Sequence, residues 1–328
     1  MEGWAGWAWV WLRLVRARLA VHAPRRMRAL HRELSRHVDE EREEISVIRG
    51  VGAYAVVTAL AATIDDSFAE LLPPMFDAWR RACARSAKTD AYAGTAGVLL
   101  AAGEIEACLP GRVPRALVQV VQERTIAGVQ ADLRHETPRP ALGFAHGYAG
   151  YLLSLELARS VFGLASPKEL LRDALEMLED SRLEAEDGAA FWPYAPGEDQ
   201  IQLNAWCNGS PGIALALLGC NRIGTPRLKP RYRELALRAL GATRFRMRSN
   251  LSFCCGTIGR VQVLIEASRL LGEQEWLREA KSIARTLPPS TGSKHRHFRN
   301  GTLGTIYMQW RLAHPERLPF PAFGGIER

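Results

Sequence analysis

The chain has 328 residues, 47% hydrophobic and 24% charged, enough for a large buried core and against wholesale disorder. Its formal charge is +8, carried by 38 arginines and five lysines against 35 acidic residues. No zinc-finger spacing, helix-turn-helix pattern or RNP-like stretch accompanies that charge, so no nucleic-acid partner is expected and an acidic peptide suits it at least as well.

The longest apolar run, Gly3 to Leu12, comes first. It has about half the length of a membrane span and is ended by Arg13, Arg16 and Arg18. Glu2 stands where a secretory signal carries positive charge. The expectation is a cytoplasmic protein with no membrane span. Six cysteines are too sparse for a disulfide scaffold at this length, which leaves thiols or metal ligands.

Glycines then reveal a repeat. GWAG at Gly3–Gly6, GTAG at Gly94–Gly97 and GYAG at Gly147–Gly150 share the form G-x-x-G, as do GSPG at Gly209–Gly212, GTIG at Gly256–Gly259 and GTLG at Gly301–Gly304. Each leads into an apolar, helix-like run, and the successive spacings are 91, 53, 62, 47 and 45 residues. The first gap is double, and Gly50-Val-Gly52 sits near its middle with the same apolar follow-on, which makes seven units. Amphipathic segments at 70–85, 167–180 and 273–287 lie between the loops, while alternating β-type runs are scarce. Each unit therefore reads as an outer helix, a connection, a Gly-rich loop and an inner apolar helix. Inner helices apolar on nearly all faces favour a closed ring over an open solenoid. The fold expected is all-α, a single domain over 1–328.

In such a ring the residues just before each G-x-x-G converge on one mouth. Asp90 lies four before Gly94, His146 one before Gly147, and Cys207 two before Gly209. Cys254 and Cys255 lie two and one before Gly256, and Arg299 and Asn300 precede Gly301. A helix N-terminus lowers the pKa of a thiol and suits it to bind metal. Three thiolates with one open position match a catalytic zinc site; a structural site takes four ligands. Cys83, Cys108 and Cys220 fall on helix-like runs and read as small buried hydrophobes. His146 is either a general acid or a hydrogen-bonded loop residue. Asp90 is either its partner or a helix cap, and the two roles are compatible.

GFAHGYAG, WCNGSPG, FCCGTIG and the closing FRNGTLGTIYMQWRLAHPERLP resemble the lanthionine synthetase C-like cyclases, most closely the C-terminal cyclase domain of class II lanthipeptide synthetases. The resemblance runs from Gly3 almost to the C-terminus. It implies an α/α toroid of seven inner and seven outer helices with Zn2+ at the mouth. It implies that peptide thiols add to dehydroalanine or dehydrobutyrine to form thioether rings. By motif, Cys207, Cys254 and Cys255 would be the zinc ligands, Cys255 replacing the more usual His. His146 and Asp90 fall on the family's catalytic positions. Three thiolates imply a weaker Lewis acid holding a more nucleophilic substrate thiolate. The partner implied is a dehydrated precursor peptide, with a separate or fused dehydratase. A non-catalytic zinc-binding module is the alternative.

The chain also departs from the family. Leu203 stands where many cyclases carry Arg, and Asn208 where Tyr or His is common. No dehydratase domain is present, and the start inside the first repeat loop predicts an incomplete first hairpin, with Trp4, Trp7, Trp9 and Trp11 adding to an exposed apolar edge. The basic segment Arg13 to Arg36 reads as the exposed face of a helix, with docking of an acidic leader peptide as its functional alternative. His295 and His297 read as a solvated loop; HExxH and GxxxxGK[ST] are absent. The loop slots also lack the carboxylate clusters of toroidal enzymes that act on sugars or isoprenoids.

Overall fold

Thirteen helices run through the described residues of the computed structural model, which are 3–38, 44–46, 50–134, 136, 140–165, 167–200, 204–245, 251–288, 298–299, 301–321 and 326. They are α1 (Gly3–Arg16), α2 (Pro24–Arg36), α3 (Val51–Ala62), α4 (Leu72–Arg85), α5 (Thr95–Cys108), α6 (Arg115–Leu133) and α7 (Tyr148–Phe162). α8 (Lys168–Asp180), α9 (Ser210–Ile223), α10 (Lys229–Thr243), α11 (Thr257–Leu271), α12 (Gln274–Arg285) and α13 (Thr302–Ala313) follow. A 3-10 turn, Asp66–Leu71, leads into α4.

Odd-numbered helices are inner and even-numbered ones outer. The inner ones lack a polar face because both their sides are covered: in α3, 11 of 12 residues are buried. They pack in chain order from α1 to α13, and α13 packs back on α1. The ring is closed, as the apolar patterning predicts. Outer helices carry one apolar stripe. α8 buries Leu170, Leu171, Ala174, Leu175 and Leu178, spaced by helical turns, and leaves its acidic and basic residues outside. α6, α10 and α12 each lie over two inner helices, α5 and α7, α9 and α11, and α11 and α13. All seven inner helices are present; six outer ones lie among the described residues. One short antiparallel pair, β1 (Leu183–Glu184) and β2 (Ala190–Phe191), packs by β2 on α10. Among the described residues no helix is long and apolar enough to cross a membrane.

The expected apolar edge at α1 is not formed. Trp9 is buried against Phe298 and Tyr307, with centroids 5.9 and 5.0 Å away, and Trp4 and Trp11 are half-buried. Ring closure through α13 covers them, and of the four only Trp7, at 41%, is exposed. The basic segment is broken between α1 and α2, and α2 turns Met27, Leu30 and Leu34 inward with Arg25, Arg26, Arg28, Arg32 and Arg36 outside. Cys83 and Cys220 are buried as expected, and Cys108 is half-buried, accepting from Arg16 at 3.4 Å.

The second glycine of the repeat sits where backbone meets backbone. A Cβ at Gly97, Gly150, Gly212, Gly259 or Gly304 would lie 2.0–2.5 Å from the carbonyl oxygen of Ala91, Phe144, Trp206, Phe253 or Phe298. Each of those oxygens belongs to the residue three before the first glycine of its own loop. In the degenerate second repeat, Gly52 meets Ile45 O at 2.7 Å, so the second glycine survives and the loop before it is rebuilt. Gly212→Ala is expected to cost about 3 kcal/mol, because backbone must move to admit the methyl. The exposed control Val120→Ala on α6 should stay within about 0.5 kcal/mol. Thermal or urea unfolding of the two variants checks the contrast.

Candidate metal and acid–base site

Five of the loops before the inner helices are tied to one another by a series of hydrogen bonds. The Tyr92 amide donates to Ala145 O (2.8 Å), Ala145 to Cys207 O (2.9 Å), Cys207 to Cys254 O (3.2 Å) and Cys254 to Arg299 O (3.2 Å). Every member stands two residues before the first glycine of its loop. Ser46, next to Ile45, extends the series by donating its Oγ to Tyr92 O. Side chains at this position and the next one are thereby gathered at the mouth.

One position earlier, the side chains are aromatic and pack into a floor. Phe144 and Trp206 have centroids 5.1 Å apart, Trp206 and Phe253 5.2 Å, and Phe253 and Phe298 5.1 Å. Phe320, from the segment after α13, lies 5.6 Å from Phe253 and 6.4 Å from Trp206. Arg311 of α13 holds that segment by donating to Leu318 O at 3.0 Å, with its guanidinium 5.6 Å over the Phe320 ring.

On this floor Cys207, Cys254 and Cys255 come together, their sulfurs all within 4.8 Å of one another and Cys207 Sγ 3.4 Å from Cys255 Sγ. Cys207 and Cys254 are buried and Cys255 is half-buried. Three thiols so close share their protons unequally. Cys255 accepts from Cys207 and Cys254, with Arg299 and His146 adding positive potential against burial, and its pKa falls well below the thiol range. Cys207 is pushed up by its contacts with Cys254 and Cys255 and by burial. Contact with Cys207 pulls Cys254 down, but contact with Cys255 and burial outweigh it, to about 12. These directions favour the thiolate at Cys255, the most exposed of the three.

Sulfurs at about 2.3 Å from zinc stand roughly 3.8 Å apart in a tetrahedron, the scale of this cluster. A buried trio of thiols is also the donor set zinc favours. The residues fit the ion.

On the neighbouring loops, His146 Nδ1 is 2.9 Å from Asp90 Oδ2. The other oxygen, Oδ1, accepts from the Ala93 amide at 2.7 Å. Asp90 therefore both caps its own turn and holds His146 in place. The His146 side chain is 41% exposed and Asp90 22%. A groove of ≈ 360 Å³ opens beside the pair, lined also by Lys88, Thr89, Tyr151 and Tyr194. The Tyr92 ring lies 5.0 Å from that of His146, and Arg299 donates to Tyr92 Oη with its guanidinium 5.4 Å from the ring centroid.

All five candidate residues thus meet at one mouth. Asn208 is buried beside Gly143. Leu203, Asn300, His295 and His297 lie outside the described residues. Sequence reasoning missed the aromatic floor and Tyr92. Aligning the loops on their first glycine would have exposed the floor, as Phe, Trp, Phe and Phe three residues before it.

A closed ring of inner helices with thiols, an imidazole and a carboxylate at the mouth defines the class, an α/α toroid with a chemically equipped end. The chain belongs to the family described as lanthionine synthetase C-like protein, whose model matches residues 1–323. Among solved structures, nisin cyclase is similar with a TM-score of 0.50 at 13% identity, over 92% of this chain and 96% of that one; the likeness is one of fold. No curated protein matches the chain.

Alkylation of the metal-free protein tests the shared proton. With Cys255 already ionised, its reaction with iodoacetamide should be flat from pH 6 to 8. An ordinary thiol gains about tenfold per pH unit there. Peptide mapping at low conversion should place the label on Cys255.

Proposed function

We propose that the chain is a zinc-dependent lanthipeptide cyclase that adds Cys thiols of a dehydrated precursor peptide to dehydroalanine or dehydrobutyrine. The observation that carries the reading is the meeting of three thiols and a carboxylate-bound imidazole at one end of a toroid of this family. Cys207, Cys254 and Cys255 would hold Zn2+ and leave one coordination position open. Bound there, the ion supplies a Lewis acid that keeps a substrate thiol ionised at neutral pH.

The remaining chemistry falls to side chains. Addition of sulfur to the β-carbon leaves an enolate whose α-carbon needs a proton. His146 delivers it from Nε2, because Asp90 occupies Nδ1 and holds the ring in place. The groove beside the pair accommodates the peptide segment that carries the dehydroamino acid. A separate or fused dehydratase would supply the substrate, and the single domain over 1–328 would work in the cytoplasm, where cysteine thiols stay reduced.

Two measurements test the reading. Purified protein should carry about one zinc per chain, and Cys255→Ala should retain much less. His146→Ala should keep its zinc yet slow ring formation on a dehydrated peptide by roughly 100-fold or more. Rings formed at the wild-type rate by that variant would remove His146 from the reaction, and wild type that binds no zinc would remove the metal.

A further inference from the structure

Arg299 occupies the same place in its repeat as Cys207 and Cys254 do in theirs. Its carbonyl accepts from the amides of Phe253 and Cys254 at 2.9 and 3.2 Å, which fixes the backbone of the last loop against the thiol loop. Its side chain reaches across the mouth to a different repeat, donates to Tyr92 Oη and stacks over the Tyr92 ring. Tyr92 in turn packs on His146. The guanidinium also adds positive potential at both Cys254 and Cys255. It therefore lies between the nucleophile side of the mouth and the proton-donating side. Arg299 and Tyr92 are both half-buried, open to the mouth.

The addition needs a group in that place. As the C–S bond forms at the β-carbon, the π pair of the dehydroamino acid moves towards its carbonyl and places negative charge on that oxygen. A proton from His146 then reaches the α-carbon, the oxygen charge collapses back into the carbonyl, and the proton lost from the substrate thiol balances the one added. Between those events an oxyanion needs preorganised donors. An arginine gives a planar fork of N–H donors that stays charged at any working pH. A phenol that accepts from it is polarised towards donating its own hydrogen.

We infer that Arg299 and Tyr92 form the oxyanion clamp of the site, binding the carbonyl oxygen of the dehydroamino acid as it becomes negative. This rests on the cyclase reading above for its substrate. The backbone anchor of Arg299 is independent of its side chain, so Arg299→Gln and Arg299→Lys should fold and keep their zinc.

Arg299→Gln and Tyr92→Phe are expected to lower kcat for ring formation, the first by roughly 100-fold, with KM within about twofold. Millimolar guanidinium should restore part of the rate to Arg299→Ala and none to His146→Ala. A readout without turnover separates this assignment from the function it serves. A dehydrated peptide lacking cysteine, labelled with carbon-13 at the dehydroalanine carbonyl, should show that carbonyl stretch moved to lower frequency on binding wild type. The shift should be lost with Arg299→Gln. Wild-type protein that gives the shift but no rings with a cysteine-containing peptide would overturn the cyclase reading and keep the clamp. No shift in wild type, or a shift and a kcat unchanged in Arg299→Gln, would overturn the clamp.

Discussion

The five loops from Asp90 to Arg299 depend on one close contact, the second glycine of the repeat against the carbonyl three residues before the first. With no side chain there, the inner helix presses its first turn onto its own entry loop at distances no Cβ tolerates. The next residue of each of these loops takes part in the series of amide-to-carbonyl bonds from Tyr92 to Arg299. Each bond is worth only about 1 kcal/mol net, yet leaving such groups buried and unpaired would cost more. The series therefore acts on position more than on stability. Side chains that lie 45 to 62 residues apart in the chain are brought to one mouth with their backbones already fixed.

Below the mouth the barrel is not uniformly apolar. Arg311 is fully buried and bonds Gln262 Oε1 (2.7 Å) and Leu318 O (3.0 Å) as well as Glu266. Arg13 of α1 pairs with Glu104 of α5, past the intervening helix α3. Opposed charges in such places cost desolvation and seldom add net stability. Their use here is registry: Arg311 fixes the segment that lays Phe320 under Trp206 and Phe253, the residues that precede Cys207 and Cys254. The floor under the thiols is set from the far end of the chain.

What was legible in the sequence follows from what repeats. The G-x-x-G spacing carries the seven inner helices and the ring, since a local backbone requirement leaves its mark at every copy. The thiols stood out because cysteine recurs one or two residues before those glycines, and His146 and Asp90 because each falls within four residues of one. Features made once were not. The second repeat keeps only Gly52 of its loop, so its pairing through Ser46 has no counterpart elsewhere. Tyr92 is one tyrosine among seven, and its meeting with Arg299 spans 207 residues. The return of Leu318 and Phe320 into the core leaves no periodic trace, and neither does the tryptophan-rich α1, whose apparent exposed edge is covered only because α13 closes on it.

The distribution of side chains around the ring is itself uneven in a chemically useful way. The loops before α9 and α11 contribute only sulfur, those before α5 and α7 the carboxylate, the imidazole and the Tyr92 phenol, and the loop before α13 the guanidinium. Had an acid stood next to the thiols, its charge would have opposed their ionisation; had the imidazole replaced Cys255, it would have been spent on coordination. Placing the two sets on neighbouring loops, tied by the Ala145 amide on Cys207 O, avoids both conflicts while keeping them at one mouth. The reaction proposed above forms a bond at one carbon and delivers a proton to its neighbour, and the series of backbone bonds would hold the two groups in that order before any substrate arrives.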